Sequence, residues 1–130
     1  MSRLLLMHVP RVLLGLIFLV GAVEGFTFIL TGNHLIHPPT SEEGAAFEAA
    51  LHRSGFLWPL MKTVELIAAF CLLSNRAPAL GLALVMPIMA VIVLFHAVLN
   101  PAGLPIALVL IAAGALLLFA YRDRYRPLFS

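Results

Sequence analysis

Five side chains in this 130-residue sequence combine acid–base or hydrogen-bonding capacity with apolar surroundings: Glu24, Lys62, Glu65, His96 and Asn100. Lys62 and Glu65 are three residues apart, and His96 and Asn100 four, so on helices each pair shares a face. Carboxylate, ammonium and imidazole gathered out of water are suited to proton exchange, because burial disfavours net charge and moves protons between neighbours. Glu24 and Glu65 against Lys62 leave a net −1 if His96 is neutral. A pocket shared by all of them is therefore expected to hold one extra proton, delocalised over coupled groups. The competing reading is a static ion-pair network that fixes helix register. These residues complete no catalytic motif, so no catalytic residue is assigned.

Other reactive side chains narrow the chemistry. The single cysteine, Cys71, excludes an internal disulfide and a thiol relay. His34 and His37 form H-x-x-H on a proline-rich stretch with no carboxylate at useful spacing, so no metal site is expected there. His96 has no second axial ligand for a haem. The chain itself carries no cofactor motif, and its net charge of +2 does not point to nucleic acid.

The elements that must position these groups follow from hydropathy. Hydrophobic residues make up 62% and charged residues 11%, against roughly 45–50% and 25% in soluble domains. Such a composition excludes both a small soluble domain and a disordered chain. Four apolar runs are read as membrane helices at about 12–30, 56–73, 80–99 and 104–121. The first run is too long for a signal sequence and lacks a cleavage site, so it is read as retained. Arg3, Arg11, Arg76, Arg122, Arg124 and Arg126 fall on one side, and Arg53 with Glu42, Glu43 and Glu48 on the other. That bias puts both termini in the cytoplasm; a bacterial- or archaeal-type inner membrane is the expected location. Trp58, Tyr121 and Tyr125 fit the interfacial belts. Glu24, Lys62, Glu65 and His96 then all lie in the outer half of the membrane.

Tight turns at 75–79 and 100–103 require antiparallel neighbours. The long connection at 31–55 should contain a helix over Ser41–Arg53, started by a Thr40–Glu43 capping box and ended at Gly55. Gly21 and Gly25 allow close helix approach, and Pro87 should kink the third span and free the Ala83 carbonyl. The expected fold is all-α: a single-domain, integral membrane four-helix antiparallel bundle over residues 1–130, with a short extra helix in the first outer loop.

Four stretches carry a family resemblance: RVLLGLIFLVGAVEGF at 11–26, SGFLWPLMKTVELIAAFCLLSNRAPALGL at 54–82, PIMAVIVLFHAVLNPAGLP at 87–105 and AYRDRYRPL at 120–128. With K-x-x-E, N-R, F-H and P-x-G in this order, the chain resembles the DoxX-like small membrane proteins over nearly its whole length. The resemblance implies a four-helix membrane bundle and an association with quinone-linked redox complexes. It matches the family's recurrent Lys, Glu and His to Lys62, Glu65 and His96. Where relatives often carry a neutral polar residue such as Asn, this chain has Glu24, so the resemblance assigns that residue no role.

Three functions remain open on the residues. The favoured one is a quinone-associated redox subunit, with electrons supplied by a protein partner or an unrecognised ligand. The others are a carrier or pore for protons or a small molecule, acting alone or as a homo-oligomer, and a structural or assembly subunit. A quinone or a small apolar ligand is the expected bound molecule. All three share the lipid bilayer as partner.

Overall fold

The computed structural model describes residues 3–130, which are helical with no strand among them. Helix α1 spans Arg3–Thr31, α2 Glu42–Arg53, α3 Leu57–Leu73, α4 Pro78–Leu94 and α5 Leu104–Ala120. A π-helical turn, Phe95–Leu99, extends α4, and a 3₁₀ turn at Pro101–Gly103 leads into α5. The tail makes short turns at Arg122–Tyr125 and Arg126–Phe129.

The first helix starts well before the apolar run that predicts it and continues through Pro10. Its stop is Gly32, at a φ of 76° that glycine tolerates best, whose N–H donates to the Phe28 carbonyl at 2.8 Å. The N-cap of α2 is Ser41 and not Thr40. The Ser41 hydroxyl accepts from the Gly44 N–H at 3.0 Å and donates to the Leu99 carbonyl, whereas the Thr40 hydroxyl turns back to the Pro38 carbonyl at 3.0 Å. Glu42 and Glu43 in the first turn, with His52 and Arg53 in the last, complement the helix dipole.

Packing runs antiparallel. Along α1 and α3, Arg11 meets Leu72, Gly15 meets Leu72 and Leu73, Gly21 meets Glu65, and Gly25 meets Lys62. Gly81 of α4 lies against Ala68 and Cys71 of α3, and Gly114 of α5 against Met89 of α4. One end therefore gathers the chain start, the turn at 74–77 and the tail. The other gathers 32–57 and 95–103. Arg11, counted above as a loop charge, is buried: its guanidinium donates to the Leu72 carbonyl, closing the C-terminal end of α3, and bonds His8 Nδ1 at 3.1 Å. At the same end the Tyr125 hydroxyl donates to the Ala79 carbonyl at 2.5 Å, and burial pushes its pKa up to about 12.

The core mixes small residues, among them Ala68, Ala69, Ala107 and Ala113, with large ones such as Leu14, Phe18, Leu72, Leu82, Met89 and Leu117. Many large apolar side chains also point outward: Phe70 is 61% and Leu108 64% exposed. Small residues at helix seams with large apolar ones on the outer surface is a pattern of helices that face lipid. Three helical stretches, Arg3–Thr31, Pro78–Leu99 and Pro101–Ala120, are long and apolar enough to cross a membrane. With 17 residues, α3 reaches that measure only together with α2, from which it turns by 93°. Helix α4 runs on through Pro87. Further along, at Phe95–Leu99, its hydrogen bonding changes to the π pattern.

A Cβ at Gly81 would sit 3.0 Å from the Ala68 carbonyl oxygen and 2.9 Å from Cys71 Cβ. The carbonyl is helix backbone and cannot step aside. Gly81→Ala is expected to lower stability by about 1–3 kcal/mol through overpacking, read as a lower unfolding temperature in detergent. An unchanged temperature would mean that α3 and α4 are not held this close.

Candidate functional site

Lys62 and Glu65 sit one turn apart on α3, and their side chains meet: Lys62 Nζ donates to Glu65 Oε2 at 3.1 Å. They are 9% and 3% exposed. An ammonium and a carboxylate this deep are tolerable only as a pair. Helix α1 makes room for them. A Cβ at Gly25 would collide with the Lys62 stem, and one at Gly21 would touch Glu65 Oε2 at 3.4 Å. The G-x-x-x-G thus packs the bundle internally and shapes the ion pair. The Lys62 ammonium also lies 4.7 Å from the centre of the Trp58 ring, a favourable cation–π arrangement.

A cavity of about 210 Å³ opens beside this pair. Lys62, Glu65 and Trp58 of α3 form one wall, Phe95 and His96 a second, and Phe47 and Glu48 of α2 cover it. His96 belongs to the π turn, and its ring packs on Gly103, where a Cβ would overlap it. With its proton on Nδ1 the ring donates to the Asn100 carbonyl at 3.4 Å, leaving the Nε2 lone pair free. The Trp58 indole N–H is buried without a hydrogen-bond partner. A buried donor left unpaired loses stability, so this cavity wall has unspent hydrogen-bonding capacity. Phe47, Val91 and Phe95 also line an adjoining apolar groove of about 300 Å³ with Leu94, Val98 and Leu99.

Two of the five residues singled out in the sequence do not line this cavity. Glu24 turns to the loop, where its carboxylate accepts from the N–H of Leu35 at 2.7 Å, the N–H of Ile36 at 3.3 Å and the His34 ring. The reason is helical geometry: Gly21 and Gly25 face α3, and Glu24 projects about 100° away from Gly25. Glu24 therefore adds nothing to the charge of the cavity; the carboxylates that line it with Lys62 are Glu65 and, from α2, Glu48. Asn100 is buried but works on the backbone. Its Oδ1 accepts from the Ser41 N–H at 3.1 Å, and its own N–H donates to the Phe95 carbonyl at 2.9 Å. It ties α2 to the π turn and so positions the cover and His96 together. Cys71 belongs to the α3–α4 seam.

The sequence reading missed a chain of rings in contact, one pair stacked and the others tilted. His37 lies 4.7 Å from His34, His34 4.1 Å from Phe28, Phe28 4.5 Å from His52, and His52 4.1 Å from Trp58, between ring centres. Its signal was the count of histidines between the first and second spans, which H-x-x-H alone did not explain. Among the described residues, no group of three His, Cys, Asp or Glu is arranged to hold a metal ion. No family model matches the chain, and no curated protein or solved structure matches it significantly.

Two expectations follow. Lys62→Met strands Glu65 in the interior and should lower stability by about 3–5 kcal/mol, while Lys62→Met with Glu65→Leu recovers most of the loss. Unfolding temperatures of the three forms check this, and a single variant as stable as wild type would refute it. Burial lowers the pKa of His52 below the ordinary 6.5, with Lys62 and His34 acting in the same direction and Glu48 opposing. The unfolded chain then binds more protons at this ring than the folded one. Stability is full above about pH 6.5 and declines as pH falls below it. His52→Phe, which preserves a stacking ring, should flatten that decline in a pH series of unfolding temperatures. An equally steep decline in the variant would assign it elsewhere.

Proposed function

We propose that the protein is a small integral membrane protein, with α1, α3, α4 and α5 as antiparallel spans and α2 across one mouth. In this reading it binds the head group of a quinone in the cavity between α2, α3 and α4. The arginine-rich end faces the cytoplasm of a bacterial- or archaeal-type inner membrane. The protein is a DoxX-like, quinone-associated subunit of a redox complex, and its electrons come from a partner.

One observation carries the reading. A cavity walled mainly by apolar and aromatic groups presents an unpartnered indole N–H, an ammonium with protons to spare and an imidazole, beside the carboxylates of Glu48 and Glu65. Donors against apolar walls suit a flat molecule with carbonyl oxygens at its edge. The size agrees: an apolar cavity of about 150 Å³ accepts a benzene ring, and this one holds about 210 Å³. The adjoining groove along Val91, Leu94 and Val98 offers a path for an apolar tail.

Each side chain has a part. Trp58 and Lys62 donate to a carbonyl oxygen. Glu65 holds the Lys62 ammonium in place. His96 exchanges a proton at the far edge of the ring, its orientation set by the Asn100 carbonyl and Gly103. A bound quinone supplies two-electron, two-proton chemistry that the side chains alone lack.

The test is retention of ligand. Wild-type protein purified in mild detergent should carry a quinone detectable by native mass spectrometry and organic extraction. Glu65→Gln and Trp58→Phe should lose most of it. Glu24→Gln, which alters the loop and not the cavity, should keep it. Quinone absent from wild type, or equally retained by Glu65→Gln and Trp58→Phe, would leave the pair as a structural device or part of a transport path.

A further inference from the structure

We propose a second ligand site at the opposite end of the molecule: the cleft between the start of α1 and the end of α5 binds an anionic phospholipid. The cleft has a volume of about 490 Å³ and is lined by Arg3, Leu6 and Met7 of α1 and by Leu116, Phe119 and Arg122 at the α5 end. Two guanidinium groups thus share a cleft with a floor of aliphatic and aromatic carbon. That is the composition a phosphate joined to an acyl chain requires, and free phosphate has no use for the floor.

Arg122 is already set for the task. It donates to the Phe119 carbonyl at 2.7 Å, and its guanidinium carbon stands 4.2 Å from the centre of the Phe119 ring. The contacts fix the fork while leaving most of its N–H donors for an anion. One acid, Asp123, also lines the cleft and lies 3.4 Å from Arg126; against Arg3, Arg122 and Arg126 it leaves this end of the molecule positively charged. A phosphate between the two arginines would place an acyl chain on Leu6, Met7, Leu116 and Phe119, alongside the exposed apolar surface of α1 and α5. The site is remote from Lys62 and Glu65 and does not rest on the proposed quinone site.

The experiment titrates delipidated protein in detergent with dioleoyl phosphatidylglycerol, dioleoyl phosphatidylcholine and glycerol 3-phosphate, and reads bound stoichiometry by native mass spectrometry. The expected result is a clear preference for phosphatidylglycerol over phosphatidylcholine, with glycerol 3-phosphate failing to compete. Arg122→Gln and, separately, Arg3→Gln should each reduce that preference by about fivefold, at roughly 1 kcal/mol per basic residue. Arg53→Gln, at the other end, should leave it unchanged. Phosphatidylcholine binding serves as the internal measure of intact protein in every variant. Equal affinity for the two lipids, a preference that survives both Arg122→Gln and Arg3→Gln, or competition by glycerol 3-phosphate at lipid concentrations would each overturn the proposal.

Discussion

A lysine and a glutamate can remain inside this protein only while each neutralises the other. Everything near the pair is arranged to keep it so. Lys62 reaches Glu65 because they are one turn apart on α3, and α1 can come close enough to exclude water because it offers glycine at 21 and 25. The packing of α1 on α3 and the placement of the charges are therefore one condition. Any side chain at position 25 competes with the lysine stem for the same space. Any loosening of the two helices exposes an ion pair whose strength depends on dryness.

Much of this was legible in the sequence, and the rest was hidden for definable reasons. Hydropathy gave the helices, and the spacing of Lys62 and Glu65 gave their common face, because a three-residue interval on a helix leaves little choice. His96 was expected near them from depth alone, and it lines the same cavity. Glu24 was expected there too, but depth does not specify azimuth. The loop at 33–37 that captures its carboxylate has no periodicity from which a position could be read. Asn100 was paired with His96 on a four-residue rhythm, and the π turn breaks that rhythm. The cap at Ser41 escaped notice because Thr40 offers the same chemistry one residue earlier. What separates them is a bond to the Leu99 carbonyl, far away in sequence.

The ring chain joins parts that sequence order keeps apart. His37 and His34 belong to the loop, Phe28 to α1, His52 to α2 and Trp58 to α3. Each contact contributes on the order of 1 kcal/mol, and beyond His37–His34, which lies within the loop, each links a different pair of elements. The mouth of the bundle is thereby knitted into a unit that runs from the exposed loop to the ring against which the Lys62 ammonium rests. Glu24 secures the loop end of that unit.

The π turn at Phe95–Leu99 has an evolutionary consequence. A π turn holds one residue more than the α-helical turn it replaces. Removing that residue would restore a regular helix and leave the segments on either side in nearly the same orientation, so the turn can absorb a one-residue change in length. What would change is which side chain of the turn packs on Gly103 and lines the cavity, the place held here by His96. Related chains one residue shorter between Pro87 and Pro101 should therefore keep the helix packing but lose the placement of the His96 ring. Longer insertions and deletions should collect in the loop ahead of Ser41 and in the tail after Tyr121.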